Sequence, residues 1–395
     1  MEQLVHKYSR KLIGAGLAEN PLVCGQDDTV VWNREDAVRP ILLQVLDGMN
    51  INSLVCAEPA EPYRTIFRYL SECYPDTITP RDCETRTFLH DLPVTDAFAA
   101  ESILPHLLRR KSVIVAENGS VRLVTFGTVS PEQAFVTFSS VCFSCFVLFF
   151  ADYLADLKEG KVSEGQQLAF ETSVSMLDRL RTRPPSLLQG PFRNEPQVYR
   201  AIIEAGFHTV KYRLVDSYFG NISYRLGGTI YISQTGSSLD ELSGCIDPCP
   251  IDGSSSAGIT ASSELTAHNE IYLRTDNRAI LHGHPKFAVI LSMDCDDSSC
   301  PDRGKCHIKC ARQRQIGDIP IVPGEVGTGP TGLCNTLPPA IADKRGAIVW
   351  GHGLFTVARR DFNEAFGSLL EIENMCRQEY FRRIKKVSAR PSRTN

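Results

Sequence analysis

Two imidazoles stand one residue apart in "RAILHGHPKFAVI", at His282 and His284, in a chain of 395 residues with only nine histidines. Side chains on an extended segment alternate between faces, so both rings leave a strand on the same side. Histidine is a common metal ligand. A third candidate, His352, follows another apolar run in "VWGHGLF", between two glycines that let backbone approach a site closely. A catalytic divalent site keeps three protein ligands and one open position, so three histidines are a sufficient set. An H-x-H pair alone also occurs among structural and surface histidines.

The elements that must position these residues can be read in order. The stretch "RTRPPSLLQGPF" at 181–192 breaks both helix and strand, and predicts a linker over 181–194 between domains at 1–180 and 195–388. Beyond it come a helix near 196–206 and strands in "NISYRL" and "TIYIS". A helix is expected to open at Ser262 in "TASSELTAHNEIYLRT", followed by strands in "AILHGH" and "GAIVWGHG". A last helix starts near 361, where Asp361 and Glu364 make a capping-box pair. Strands mixed with helices indicate a layered α/β domain.

The first half repeats this pattern. "NSLVCAEPAEPYRTIFRYL" lies over "RAILHGHPKFAVILSM", "RRKSVIVAENG" over "KRGAIVWGHG", and "VSPEQAFVTF" over "RDFNEAFGSL", at offsets of 226, 234 and 231. A diverged tandem duplication is inferred. Under it Cys56, Glu58 and Asn118 take the places of His282, His284 and His352, and no histidine remains.

Composition fits a globular protein, with 43% hydrophobic and 22% charged residues. A net charge of -4 gives no electrostatic reason to expect nucleic acid. The basic tail "RRIKKVSARPSRTN" reads as a frayed, solvated end. The opening "MEQLVHKYSRKLIGAG" lacks the apolar core of a signal peptide, so a reducing cytoplasm is expected, with the fourteen cysteines buried or metal-bound. The uncharged run 134–151 is bounded by Glu132 and Asp152 without basic anchors, and reads as a buried helix rather than a membrane contact.

The blocks "YFGNISYRLGGTIYISQTGSSLDEL", "ASSELTAHNEIYLRTDNRAILHGH" and "GAIVWGHGLFTVARRDFNEAFGSLLEIE" resemble, in this order, the class II aldolase/adducin family over about 195–385. The resemblance implies two tandem α/β/α layered domains, each with a central, mainly antiparallel sheet and helices on both faces, the first a degenerate copy. It implies that His282, His284 and His352 hold a divalent metal, zinc foremost, with manganese or cobalt as alternatives. Glu264 would be the acid/base carboxylate, and Gly220, Asn221, Thr235, Gly236, Ser262 and Ser263 would receive a substrate phosphate. Glycine and hydroxyl residues suit an oxyanion, although "GN" and "TG" are also ordinary turn dipeptides. His268, four residues after Glu264, matches a structural position.

The implied activity is retro-aldol cleavage of a small phosphorylated sugar by a metal-dependent lyase. Epimerases, decarboxylases and a dehydratase in the family share the metal site, and a non-catalytic adducin-like module is the alternative of another class. Family enzymes are fourfold tetramers. A duplicated chain is expected to form a similar pseudo-fourfold ring as a homodimer, with Tyr74 as a candidate proton donor to a neighbour's site. One segment departs from the family. In the insert 294–312, Cys295, Cys300, Cys306 and Cys310 are spaced C-x4-C-x5-C-x3-C, which suits a second zinc, an iron-sulfur cluster, redox disulfides or plain loop thiols.

Overall fold

The computed structural model describes all residues except 216–217, 255–258, 298, 311 and 390–395. The chain forms two compact units, Met1–Asp178 and Arg179–Asn395. Residues 181–194, expected as a linker, belong to the second unit. The Asn363 Oδ1 accepts from the Leu187 N–H at 2.9 Å, and the Asp361 carboxylate accepts from the Gly190 N–H at 2.8 Å. The proline pairs break helix and strand as read, but polar side chains at the start of the last helix then hold the extended backbone.

Unit 1 builds a seven-stranded sheet from β1 (Leu22–Gln26), β2 (Val30–Trp32), β3 (Ser53–Ala57), β4 (Thr77–Ile78), β5 (Leu92–Thr95), β6 (Ser112–Glu117) and β7 (Ser120–Gly127), in the order β2-β1-β3-β7-β6-β5-β4. Unit 2 builds an eight-stranded sheet from β8 (Asn221–Leu226), β9 (Thr229–Ser233), β10 (Ile246–Pro250), β11 (Ala279–Gly283), β12 (Arg314–Ile316), β13 (Ile319–Val322), β14 (Gly346–Val349) and β15 (Gly353–Ala358), in the order β10-β9-β8-β11-β15-β14-β13-β12. With β10 set aside, the two orders coincide strand for strand. All pairings are antiparallel except one in each sheet, β5 with β6 and β13 with β14, and these occupy equivalent places.

The duplication extends to single hydrogen bonds. The Thr125 hydroxyl donates to the Ala134 carbonyl at 2.8 Å, and the Thr356 hydroxyl donates to the Ala365 carbonyl at 2.9 Å, each tying its sheet to the first turn of the helix that follows. Those helices are Pro131–Glu159 and Phe362–Ser388. Each sheet carries helices on both faces. In unit 2 the helices Leu265–Arg274 and Leu333–Ile341 bury Ile271, Tyr272, Leu333 and Leu337 against Ile280, Phe355 and Val349. The opposite face takes Phe362–Ser388, packed along β11 and β15.

Two expectations about helices are settled here. Pro131–Glu159 is long and apolar enough to cross a membrane, yet 89% of its most apolar 18-residue window is buried within the protein. A helix that is apolar on all sides is a core helix when protein surrounds it. The basic tail is less frayed than its composition suggested, because Phe362–Ser388 runs well into it. There Arg383 bonds Asp294 at 2.6 Å and Glu379 at 2.8 Å.

Helix Lys286–Met293, which follows the His-x-His strand, has no side-chain cap of its own at Pro285. Glu373 from the last helix fills that role, accepting from the Phe287 and Ala288 N–H groups at 3.0 and 2.9 Å. Burial pushes the Glu373 carboxyl up to about 7, and the two N–H bonds offset this only in part. A carboxyl raised in the folded state binds more protons folded than unfolded, so stability falls as pH rises from its ordinary 4.5 to about 7. Glu373→Gln is expected to flatten this slope, measured as the difference between the two proteins in denaturant midpoints from pH 4.5 to pH 8.

Candidate metal centre

β11 delivers His282, and the turn after it delivers His284, on the face also occupied by Ile280. His352 arrives from the β14–β15 turn. The three Nε2 atoms converge: His284 Nε2 lies 3.0 Å and His352 Nε2 3.2 Å from His282 Nε2. All three rings are buried, and among the described residues this is the one grouping of histidine, cysteine and carboxylate side chains that could hold a metal. Outer contacts fix the ring planes. His282 Nδ1 sits 3.2 Å from the Leu354 carbonyl, which holds the proton on Nδ1 and turns the Nε2 lone pair inward. Phe355 stacks on His282 with ring centroids 3.8 Å apart, and Phe219 stacks on His284 at 5.3 Å.

Glu264 completes the donor set. Its Oε1 is 2.9 Å from His352 Nε2 and its Oε2 is 3.5 Å from His282 Nε2. Burial would raise this carboxyl, but the charges of the facing His282 and His352 imidazoles and the Asn221 amide bond hold it well below the usual carboxylate range. Burial acts the other way on His284, pushing it well below 6.5, with the charges of His282 and His352 adding to the effect. A neutral imidazole is what a metal ligand must be.

These residues fit a divalent cation. Inward lone pairs 3.0 and 3.2 Å apart repel one another unless a cation or proton lies among them, and the buried Glu264 carboxylate has only the neutral Asn221 amide besides imidazoles to offset its charge. Three nitrogens and one displaceable oxygen are a usual zinc donor set.

The glycine after His352 is part of the centre. A Cβ built at Gly353 would lie 2.6 Å from His282 Cε1, 2.6 Å from the Gly283 carbonyl oxygen and 3.0 Å from His284 Cδ2. Gly353→Ala is therefore expected to displace both rings and remove most of the bound metal, read by elemental analysis after dialysis. An alanine variant with full metal content would show that the rings can yield.

The same position explains why unit 1 has no such centre. Val124 opposes Cys56 as Phe355 opposes His282, which confirms the pairing of Cys56 with His282. Counting from those pairs, Arg122 opposite Val115 takes the place of Gly353 opposite Val349. A long cationic side chain thus stands where the metal centre needs an empty Cα. Cys56 is buried in an apolar cluster with Leu54, Val115 and Val124, and burial pushes its thiol up to about 12. Glu58 is exposed and bonds Arg64 and Arg68. Asn118 does not take the place of His352, because the unit 1 hairpin is longer and Asn118 lies at its tip, with φ of 50°.

The expected phosphate residues divide. Gly220 has φ of 83°, and a Cβ there would meet the His282 carbonyl oxygen at 2.4 Å, so it is a packing glycine beside the centre. Asn221 Nδ2 donates to Glu264 Oε2 at 2.6 Å and thereby positions the carboxylate. The helix expected from Ser262 begins at Leu265. The Ser262 N–H is spent on the Ser233 carbonyl and the Thr235 N–H on the Thr260 carbonyl, each at 3.0 Å. The Gly236 and Ser263 N–H groups make no backbone bond among the described residues. Thr235, Gly236 and Ser263 are exposed, whereas Ser262 is buried.

One contributor gave no motif in the sequence. Asp247, on the extra strand β10, accepts from Gln234 Nε2 at 2.8 Å and Thr260 Oγ1 at 2.5 Å, joining the Gln234–Gly236 and Thr260–Ser262 loops. His268 is turned away from the centre, with Nδ1 2.6 Å from the Ser223 hydroxyl, which in turn meets the Tyr272 hydroxyl at 2.7 Å. Burial pushes His268 down to about 3, which keeps it neutral. Tyr74 ends the helix Tyr63–Cys73 in unit 1 and is 43% exposed. All fourteen cysteines are free, and those of the insert do not converge as the three imidazoles do.

Fold and site together define an α/β domain with a buried cluster of three imidazoles that could hold a divalent metal. Residues 200–380, most of unit 2, match the family described as Class II Aldolase and Adducin N-terminal domain. Solved structures similar to the chain include L-fuculose-1-phosphate aldolase from Thermus thermophilus, at 24% identity and a TM-score of 0.40, covering 49% of this chain and 98% of that one. Others are a sugar-phosphate aldolase from Thermotoga maritima, at 17% identity and 0.35 over 50% and 98%, and the N-terminal class II aldolase domain of a conserved protein from Thermoplasma acidophilum, at 12% and 0.34 over 51% and 99%. No curated protein matched the chain.

Proposed function

We propose that unit 2 is a metal-dependent lyase that cleaves a carbon-carbon bond in a small phosphorylated sugar by a retro-aldol step. The observation that carries this reading is the buried Glu264 carboxylate within 3.5 Å of two of three converged imidazole nitrogens. A divalent cation, zinc in this reading, supplies Lewis acidity toward the oxygens of the substrate. His282, His284 and His352 would hold it, with the Glu264 carboxylate beside them. The Glu264 carboxylate, held by Asn221, takes the hydroxyl proton of the carbon that becomes an aldehyde, and returns a proton to the carbon left behind. The Gly236 and Ser263 N–H groups and the Thr235 and Ser263 hydroxyls offer donors to the phosphate.

A purely adducin-like interaction module would have no use for a buried carboxylate facing three imidazoles, so this arrangement favours chemistry. In the duplicated chain, unit 1 serves as a structural partner within a homodimeric ring, and Tyr74 is its candidate proton donor to a neighbour. The test is metal-loaded protein incubated with a panel of ketose and aldose phosphates, with an aldehyde and a three-carbon ketone phosphate identified as products. Interconversion without cleavage, or loss of carbon dioxide or water, would assign the centre to the epimerase, decarboxylase or dehydratase chemistry of the family; binding without any turnover would sink the enzyme reading.

A further inference from the structure

The segment 294–312 has no use in the chemistry above. Among its described residues it contains no helix or strand, and Ile308, its one large apolar side chain, is 37% exposed. A long irregular stretch inside a compact unit, without a core of its own, needs some other staple. Its ends are pinned, since the Asp294 carboxylate meets Arg383 at 2.6 Å and the Asp294 carbonyl accepts from Arg314 at 2.6 Å. Between these ends lie four free, partly accessible thiols.

Their arrangement stops short of closure. The Ile308 and Lys309 N–H groups both donate to the Lys305 carbonyl at 2.9 Å, a single helical turn that sets Cys306 and Cys310 four residues apart along one side. Burial pushes the Cys306 thiol up, and the nearby Cys310 and Cys295 thiols add to that effect, so these three sulfurs lie within electrostatic reach of one another. Basic residues surround them: Lys309 and Arg312 pair with Asp302 and Asp297, while Arg303 and Lys305 form no ion pair among the described residues. Arg303 and Lys305 would offset part of the negative charge of an ion held by four thiolates, whose deprotonation the ion itself drives.

We propose that residues 294–312 are a zinc-folded insert in which Cys295, Cys300, Cys306 and Cys310 close on one tetrahedral zinc ion. Each thiol gives its proton to solvent as it binds, and no electron is transferred. Closure is coupled to the ion, because a ligand set of this kind is rarely assembled beforehand. The insert also contacts the turn that carries His352. The His307 carbonyl accepts from the Gly324 N–H at 2.9 Å, and the His307 ring lies 6.0 Å from that of Trp350, two residues before His352. A zinc in the insert therefore steadies the wall from which His352 projects.

The test uses the full-length chain, stripped of metal and reloaded with zinc or cobalt, beside His282→Ala/His284→Ala and Cys306→Ser/Cys310→Ser double variants. Zinc content should fall by about one ion per chain in each variant, as expected for independent four-coordinate sites. Cobalt-loaded protein should show a thiolate charge-transfer band that survives in the histidine variant and vanishes in the cysteine variant. In wild-type protein, zinc should slow alkylation of the four insert cysteines at least about tenfold, a readout that does not depend on the folding of any variant. Equal alkylation with and without zinc overturns the proposal, as does iron with a visible absorption band in anaerobically purified protein. Because the histidine variant retains the insert band, failure of the lyase reading and failure of this one are separately visible.

Discussion

Replacing His282 with alanine is expected to strip the metal centre of unit 2 and abolish turnover on any sugar phosphate that the wild type cleaves. His282 is the middle ligand, with its Nε2 within 3.0–3.2 Å of both other imidazoles and 3.5 Å from Glu264. Losing a mere outer partner of a ligand costs roughly 10–100-fold in metal affinity, so loss of the central ligand should exceed that range. A bound metal stabilises the folded state by about 4 kcal/mol at a thousand times its dissociation constant. Added zinc should therefore raise the melting temperature of wild type and leave the variant unmoved, with the cysteine pair of the insert replaced in both proteins so that only one site is read. An equal upward shift in the two proteins would place the metal elsewhere.

The legibility of this centre from sequence followed the range of the interactions that build it. His282 lies near the end of β11 and His284 directly follows that strand, so alternation alone put them on one face, and the strands "NISYRL" and "TIYIS" emerged with the boundaries expected of them. Local spacing could not show that Gly353 is a packing requirement, because the atoms it must clear belong to residues about 70 positions earlier. The same limit applies to Asp247, whose two partners lie 13 residues away in opposite directions along the chain. The family resemblance assigns Asn221 to phosphate and its turn dipeptide gives no other role, while the sheet pairs it with His282 and brings its amide to Glu264.

The duplicate was legible for a different reason. Apolar strands and the amphipathic first turn of a helix keep their pattern under drift, because any residue of similar volume packs in the same place. The hairpin between β6 and β7 is free of that constraint, and there the offset of 234 gave a false partner for His352. Register corrects it, and shows the cause of the lost centre to be steric as well as chemical: restoring histidine at Cys56 would still leave Arg122 where the metal site requires a bare Cα.

Glu264→Gln separates holding the metal from moving the proton. The replacement preserves shape, and the Asn221 amide can still donate to the remaining carbonyl oxygen, as it now does to Oε2 at 2.6 Å. Three imidazoles remain to hold the cation, so zinc content should match wild type. What disappears is a base of fixed position, and general acid-base groups contribute roughly 10²–10⁴-fold to turnover. The expected result is a fall of that size in kcat with KM changed by less than about tenfold, since the three imidazoles and the proposed phosphate donors are left unchanged. A loss of zinc would make Glu264 a required ligand, and turnover within a few fold of wild type would move the proton transfer to another residue. Either outcome would leave the three-histidine centre standing while removing Glu264 from its assigned role.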